Sequence, residues 1–107
     1  GHVQTGEVTI AVQNARFDGI EVQAGDVIGL LNDVLTVKGA SADAVVEALL
    51  EQMGASNMEV ITLYYGQPVR AEQAAALQER LSEAYPDQAV EIVDGGQPFY
   101  HYIISAE

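Results

Sequence analysis

Residues 59–96 read EVITLYYGQPVRAEQAAALQERLSEAYPDQAVEIVDGG and contain the pattern that decides the fold. Glu59 to Tyr65 is nearly continuous in apolar character, which is typical of a strand covered on both faces. After a Gly-Gln-Pro break, apolar residues recur at helical spacing from Arg70 to Ala84. A second short apolar run follows, from Ala89 to Val93. Another helix is predicted before this stretch, from Ser41 to Gly54. Together with it, this order predicts right-handed crossovers and a mainly parallel centre of the sheet.

The residues before this stretch predict three more strands and a helix. Glu7 to Gln13 alternates between apolar and polar residues as a strand does. Val27 to Leu31 and Val34 to Lys38 are apolar runs separated by Asn32-Asp33, a pair that tolerates positive φ in a two-residue hairpin turn. The segment from Ser41 to Gly54 has an N-cap serine, an apolar stripe and a terminal glycine, which together predict a helix.

Turn signals and one last strand complete the pattern. Asp18-Gly19 and Gly25-Asp26 mark turns, and Asp94-Gly95-Gly96 marks another before a strand from Phe99 to Ile104. The predicted order is β-β-β-α-β-α-β-β. We expect an α/β (α+β) domain over residues 1–107, a two-layer or sandwich structure with a mixed, partly parallel sheet. We expect the two helices either to lie on one face of the sheet or to be divided between its two faces.

The charge of the chain restricts its partners. It has 16 acidic and 4 basic residues, a formal net charge of −12, and no cysteine. The negative charge repels nucleic acid and anionic lipid, which are therefore poor partners, and it attracts a basic protein surface. Alternatively, the charge serves only to keep the chain soluble. No apolar run approaches the ~20 residues that span a bilayer, so we expect no membrane insertion. The absence of cysteine is compatible with the reducing cytoplasm, where we expect the chain to be.

The sequence does not assemble a recognisable reactive centre. His2 and His101 are at opposite ends of the chain, and no HExxH, GxSxG, P-loop or GxGxxG motif is present. Gly95-Gly96 leads into a strand rather than a helix, unlike a phosphate-binding loop. We therefore expect no catalytic residue, metal or cofactor in this chain, which favours a role through contact.

The aromatic residues are the candidates for that contact. Two Gly-Gln-Pro tripeptides lie close to tyrosines, one after a predicted strand and one before the last. Alternation puts Tyr100 and Tyr102 on one face of the last strand, and Phe99, His101 and Ile103 on the other. One face packs against the core, and the other displays either the two tyrosines or the pair of Phe99 and His101. The alternative is that all the aromatics pack inside the domain. The candidate partner-binding residues are Tyr64, Tyr65, Gln67, Gly95, Gly96, Gln97, Pro98, Tyr100 and Tyr102.

Four segments also point to a known family. They are HVQTGEVTIAV (2–12), DGIEVQAGDVIGLL (18–31), EVITLYYG (59–66) and VDGGQPFYHYIISAE (93–107). In this order they resemble the C-terminal domain of the fatty acid kinase A subunit family. Its members are also described as dihydroxyacetone-kinase-like (DAK-domain) proteins or Dak phosphatases. The resemblance covers essentially the whole chain.

The resemblance implies a place in a longer bacterial protein. An N-terminal dihydroxyacetone-kinase-like domain would bind ATP and magnesium, and this domain would itself be non-catalytic. It would dock a DegV-type fatty-acid-binding protein, whose fatty acid becomes an acyl phosphate, and contact other domains of its own chain. Two alternatives remain: a regulatory domain that senses a small ligand, and an oligomerisation domain that joins a homodimer.

Overall fold

The computed structural model describes residues 3–107, in which two helices cover one face of a six-stranded mixed sheet. A two-stranded ribbon and one 3-10 turn, Ala55–Asn57, complete the described part. The strands are β1 (Gln4–Ile10), β2 (Ala15–Phe17), β3 (Ile20–Val22), β4 (Val27–Leu31), β5 (Val34–Gly39), β6 (Val60–Tyr65), β7 (Ala89–Asp94) and β8 (Tyr100–Ala106). The helices are α1 (Ala42–Met53) and α2 (Ala71–Ala84). The predicted mixed α+β architecture is confirmed.

The strand order of the large sheet is β5-β4-β1-β8-β6-β7. Among the described strands only β6 and β7 pair in parallel; β8 pairs antiparallel with both β1 and β6. The prediction of a mainly parallel centre is therefore wrong. The two helical connections do join strands that run in the same direction, β5 to β6 and β6 to β7. The last strand, β8, however, lies between β1 and β6 and runs antiparallel to both.

The turn signals before α1 mark real turns. Asn32 and Asp33 have φ of 49° and 72° in the β4–β5 hairpin, as predicted for a two-residue turn of this kind. Asp18 (φ 49°) and Gly19 (φ 84°) form a second such turn, between β2 and β3. The sequence pattern indicated this second turn but not its strands, because each has only three residues.

Each helix begins with a cap to its free backbone N–H groups. The Ser41 hydroxyl accepts the Ala44 N–H at 3.1 Å, and Gly54 ends α1 in the left-handed conformation (φ 68°). At the start of α2, the Gln73 side chain accepts the Arg70 N–H at 3.0 Å. Both helices therefore start where the sequence predicts.

Both helices pack on the same face of the sheet. Arg80 of α2 forms ion pairs with Asp43 (3.4 Å) and Glu47 of α1, so the two helices lie near each other on that face. No helix in the described part of the chain is long and apolar enough to cross a membrane. Under the helices lies one core, whose largest fully buried side chains are Tyr102, Leu49, Leu50, Ile61, Leu63, Leu77, Leu81, Ile104, Val8, Val45 and Val46.

Candidate functional site

The two Gly-Gln-Pro segments of the sequence, residues 66–68 and 96–98, meet where the chain crosses the end of β6. Because β6 and β7 are parallel, they end at the same edge, and the chain must pass over β6 to begin β8. The Gly95 and Gly96 N–H groups donate to the Tyr65 carbonyl at 2.9 and 3.3 Å, and the Gln67 N–H donates to the Gln97 carbonyl at 2.9 Å. The crossing is thus a hydrogen-bonded junction of two loops.

The Gln97 side chain adds two hydrogen bonds to this junction. Its Nε2 donates to the Tyr64 carbonyl at 2.9 Å and, more weakly, to the Tyr100 carbonyl at 3.4 Å. Gly66 lies beneath it, where an added Cβ would come within 2.6 Å of the Gln97 carbonyl oxygen and closer still to that of Tyr100. Gln97 and Gly66 therefore shape the loops, while Gln67 and Pro98 lie exposed on them.

A β-bulge separates the two tyrosines of the last strand. Val8 pairs with Tyr102, but the next residue of β1, Thr9, pairs with Tyr100, so His101 is an extra residue. Tyr102 follows Val8 into the core and is 1% exposed, whereas Tyr100 lies beside Thr9 on the uncovered face. The prediction that the two tyrosines share a face is wrong, and Tyr102 does not belong to an exposed surface.

The tyrosines of β6 also divide between the two faces. Tyr64 lies on the uncovered face, 36% exposed, between Ile103 of β8 and Val93 of β7. Tyr65 is half-buried and packs against the core under the helices. Of the four predicted tyrosines, Tyr64 and Tyr100 are therefore the ones on the uncovered face.

Next to Tyr100, the uncovered face contains an apolar groove of about 430 Å³. Two side chains at its margin are unusually exposed for their type, Val12 at 91% and Phe99 at 78%. The residues that line the groove are Thr9, Ile10, Ala11, Val12, Ile28, Leu30, Phe99 and Tyr100. The chain thus presents a concave apolar surface with an aromatic side chain beside it.

The backbone of Phe99 is held in a conformation that aromatic residues rarely adopt. Its φ is +71°, in the left-handed region that favours glycine. The Thr9 hydroxyl donates to the Phe99 carbonyl at 2.9 Å and ties this residue to β1. Val12 was not predicted from the sequence to be exposed, and Phe99 was exposed only in the alternative of a displayed Phe99–His101 pair; neither was among the candidate partner-binding residues. Their adjacent Pro98 and Gln13-Asn14 indicate loops, but loop position alone does not reveal an exposed apolar side chain.

One flank of the groove carries two neighbouring carboxyl groups. Glu7 lies opposite Leu30 in the β1–β4 pairing. Partial burial, a hydrogen bond with Asp33 and the charge of Asp33 raise the pKa of Glu7. The ion pairs of the described residues join Arg16 to Glu21, Lys38 to Asp26, and Arg80 to Asp43 and Glu47, so none includes Glu7 or Asp33. Within residues 3–107, no three His, Asp or Glu side chains converge as a metal site.

Comparison with known proteins identifies the family. The model of the FakA-like C-terminal family, which describes the C-terminal region of proteins like the fatty acid kinase A subunit, matches residues 1–107, the whole chain. The chain belongs to this family. The resemblance seen in the sequence is thereby confirmed, and the groove and junction described above are features of a FakA-like C-terminal domain.

Bacterial relatives carry the same region inside longer proteins. Protein YloV of Bacillus subtilis (strain 168) is 36% identical over 105 residues, which are 98% of this chain and 19% of that protein. An uncharacterized protein of Staphylococcus aureus (strain USA300) is 35% identical over 108 residues, which are 99% of this chain and again 19% of that protein. The chain therefore spans about one fifth of the length of these curated relatives.

Proposed function

We propose that this domain is a non-catalytic docking module of a fatty-acid-kinase-type protein. Its partner is a DegV-type fatty-acid-binding protein, and a distant kinase domain that holds ATP and magnesium phosphorylates the bound fatty acid. The process takes place in the cytoplasm. The observation that carries the proposal is the apolar groove on the uncovered sheet face, with Phe99 exposed beside it.

Phe99 has the properties of an interface anchor. Aromatic side chains that become buried at the centre of an interface supply much of its binding energy. Burying a phenylalanine contributes roughly 1.5–3 kcal/mol. Its fixed backbone, tied by Thr9, means that little further ordering is needed when a partner covers it.

The charge of the chain favours a basic partner around this apolar centre. Glu7 and Asp33 flank the groove without a cation among the described residues, in a chain of net charge −12. A positively charged rim on the partner is attracted to such a surface and accelerates association. The same charge opposes contact between two copies of this chain, so docking a different protein is favoured over a homodimer.

Calorimetry of the chain with the DegV-type proteins of the same genome tests the proposal. We expect Phe99→Ala to weaken binding about 10- to 100-fold, by conversion of the burial energy above. Tyr100→Ala weakens it to a smaller extent, because Tyr100 is already half-buried in the groove wall.

Phe17→Ala is the matched control, since Phe17 is 49% exposed but lies on the β2–β3 ribbon outside the groove. Unchanged affinity in both Phe99→Ala and Tyr100→Ala would remove this surface from the interface. Concentration-dependent dimers that Phe99→Ala abolishes would instead favour the oligomerisation role.

A further inference from the structure

One edge of the six-stranded sheet, the outer side of β7, has backbone groups that no strand pairs. Among the described strands, β7 pairs with β6 alone and in an unbroken register. The Ala89 and Gly95 N–H groups donate toward β6, to the carbonyls of residues 59 and 65, at 3.0 and 2.9 Å. Backbone groups alternate in direction along a paired strand, so those of residues 89, 91, 93 and 95 face β6. The N–H and C=O groups of Val90, Ile92 and Asp94 therefore point away from the sheet.

One of these outward groups is already bonded within the described part of the chain. Gln78 of α2 donates from its Nε2 to the Val90 carbonyl at 2.9 Å. The backbone groups of Ile92 and Asp94 that point outward have no such partner among residues 3–107, and neither has the Val90 N–H. From Val90 to Asp94 this edge spans about 13 Å, the length of a short strand.

The opposite edge of the sheet, β5, is protected in three ways that β7 lacks. Strand β3 of the ribbon lies against β5. A bulge at Thr36 interrupts the pairing of β5 with β4, and Lys38 adds a charge of the kind that opposes edge pairing. β7 contains no bulge, proline or lysine. The sheet thus closes one edge and leaves the other regular and open.

The charge at this open edge selects its occupant. Glu91 and Asp94 are exposed on β7, and the ion pairs of residues 3–107 include neither of them. A second copy of the chain would set one acidic edge against another, and like charges on neighbouring strands destabilise the pairing. A basic residue opposite each carboxylate would instead form a cross-strand ion pair.

We propose that β7 accepts an extended, basic segment of a partner protein as a seventh strand of the sheet. Its backbone pairs with the free groups of Ile92 and Asp94. Basic residues lie opposite Glu91 and Asp94, and two apolar residues between them lie opposite Ile92 and Val93, of which Val93 is 41% exposed. In strand addition, main-chain hydrogen bonds supply affinity and side chains supply specificity. This edge is independent of the docking surface proposed above, because no residue of β7 lines the apolar groove.

NMR titration of the ¹⁵N-labelled chain with the blocked hexapeptide Thr-Lys-Val-Val-Lys-Thr tests the proposal. We expect saturable shifts of the Val90, Ile92 and Asp94 amides, and slower hydrogen exchange of the same N–H groups. Two control peptides should not bind. In one, both lysines are replaced by glutamate; in the other, every peptide nitrogen is methylated, which keeps the charge but prevents strand pairing.

Two substitutions at one position separate charge from backbone pairing. Asp94→Asn removes only the charge and should lower the affinity for the lysine peptide about 1.5- to 5-fold, as for one cross-strand ion pair. Asp94→Pro also removes the outward N–H and should lower it about 5-fold further, as for one hydrogen bond. The fold tolerates proline here because that N–H has no partner in the sheet, and thermal unfolding checks this. Glu51→Gln on α1, which does not pack on β7, is the charge control and should leave the affinity unchanged.

Several results would overturn the proposal: no saturable shifts at these amides, equal binding of either control peptide, or equal affinity in folded Asp94→Asn and Asp94→Pro. Concentration-dependent shifts of the same amides without peptide would do so as well, because a second copy would then occupy the edge. If Asp94→Pro does not fold, the methylated peptide makes the same comparison from the side of the ligand. The result for Phe99→Ala with the DegV-type partner concerns the groove alone, so either proposal can fail without the other.

Discussion

Replacing Gly66 by alanine tests whether the crossing of the two loops is a principal source of stability. The new Cβ would lie 2.6 Å from the Gln97 carbonyl oxygen, where ordinary contact begins at 3.4 Å, and nearer still to the Tyr100 carbonyl. Both neighbours are backbone atoms, so they cannot move aside as the end of a flexible side chain does. The segment from Gln97 to Tyr100 must shift.

That shift breaks hydrogen bonds as well as packing. The Gly66 N–H donates to the His101 carbonyl at 2.9 Å, and two further bonds of 2.9 Å join Gln97 to Gln67 and Tyr64. Losing two of these bonds costs about 2 kcal/mol, and overpacking costs roughly 1–3 kcal/mol more. We expect Gly66→Ala to lower the free energy of unfolding by about 3–5 kcal/mol, or Tm by roughly 12–20 °C in a chain of this size.

Urea and thermal unfolding followed by circular dichroism measure this loss. Gly96→Ala is the matched control in the same junction, because its Cβ meets no atom within 4 Å and only its φ of +67° opposes the substitution. That conformation costs a non-glycine residue about 1–2 kcal/mol. A loss in Gly66→Ala no larger than in Gly96→Ala would refute the steric reasoning.

Two further predictions concern α1 and the bulge. Ser41→Ala removes the acceptor of the Ala44 N–H and should lower the free energy of unfolding by ~1 kcal/mol, measured in urea. Ser82→Ala, on the exposed side of α2, is the control and should leave it unchanged. Equal effects of the two substitutions would contradict the capping role of Ser41. Burial lowers the pKa of folded His101 below its ordinary value of 6.5. The contribution of neutral His101 to the free energy of unfolding is therefore complete above pH 6.5 and is lost as pH falls through the folded-state pKa. His101→Gln should flatten that pH dependence, and an unchanged slope would show that another group causes it.

Local patterns in the sequence predicted most of the elements. Ser41 and Gly54 bound α1 as expected, and Asn32-Asp33 adopts positive φ in a hairpin turn. The strand predicted from Glu7 to Gln13 is present as β1 but lies three residues earlier, because the chain leaves the sheet after Ile10. These features depend on neighbouring residues alone, which is why they can be read from the sequence.

Non-local pairing decided what the sequence did not reveal. The place of β8 between β1 and β6 depends on contacts between distant parts of the chain, and no periodicity encodes it. The bulge at His101 places Tyr100 and Tyr102 on opposite faces, whereas a strand pattern assumes strict alternation. The sequence pattern therefore did not reveal the groove, although it placed Phe99 on the face opposite Tyr102. Tyr64 and Tyr100 were already among the predicted surface residues.

The position of β8 has a consequence for how the chain folds. The last of the eight strands pairs Gln4 with Ala106 and Thr62 with Ser105, so the two halves of the sheet remain unjoined until residues 100–106 leave the ribosome. Pairing between residues at almost opposite ends of the chain slows folding, because the entropy of loop closure is lost before the new contacts stabilise the chain. During synthesis, β1 and β6 each have an unprotected edge until the last strand pairs with both of them.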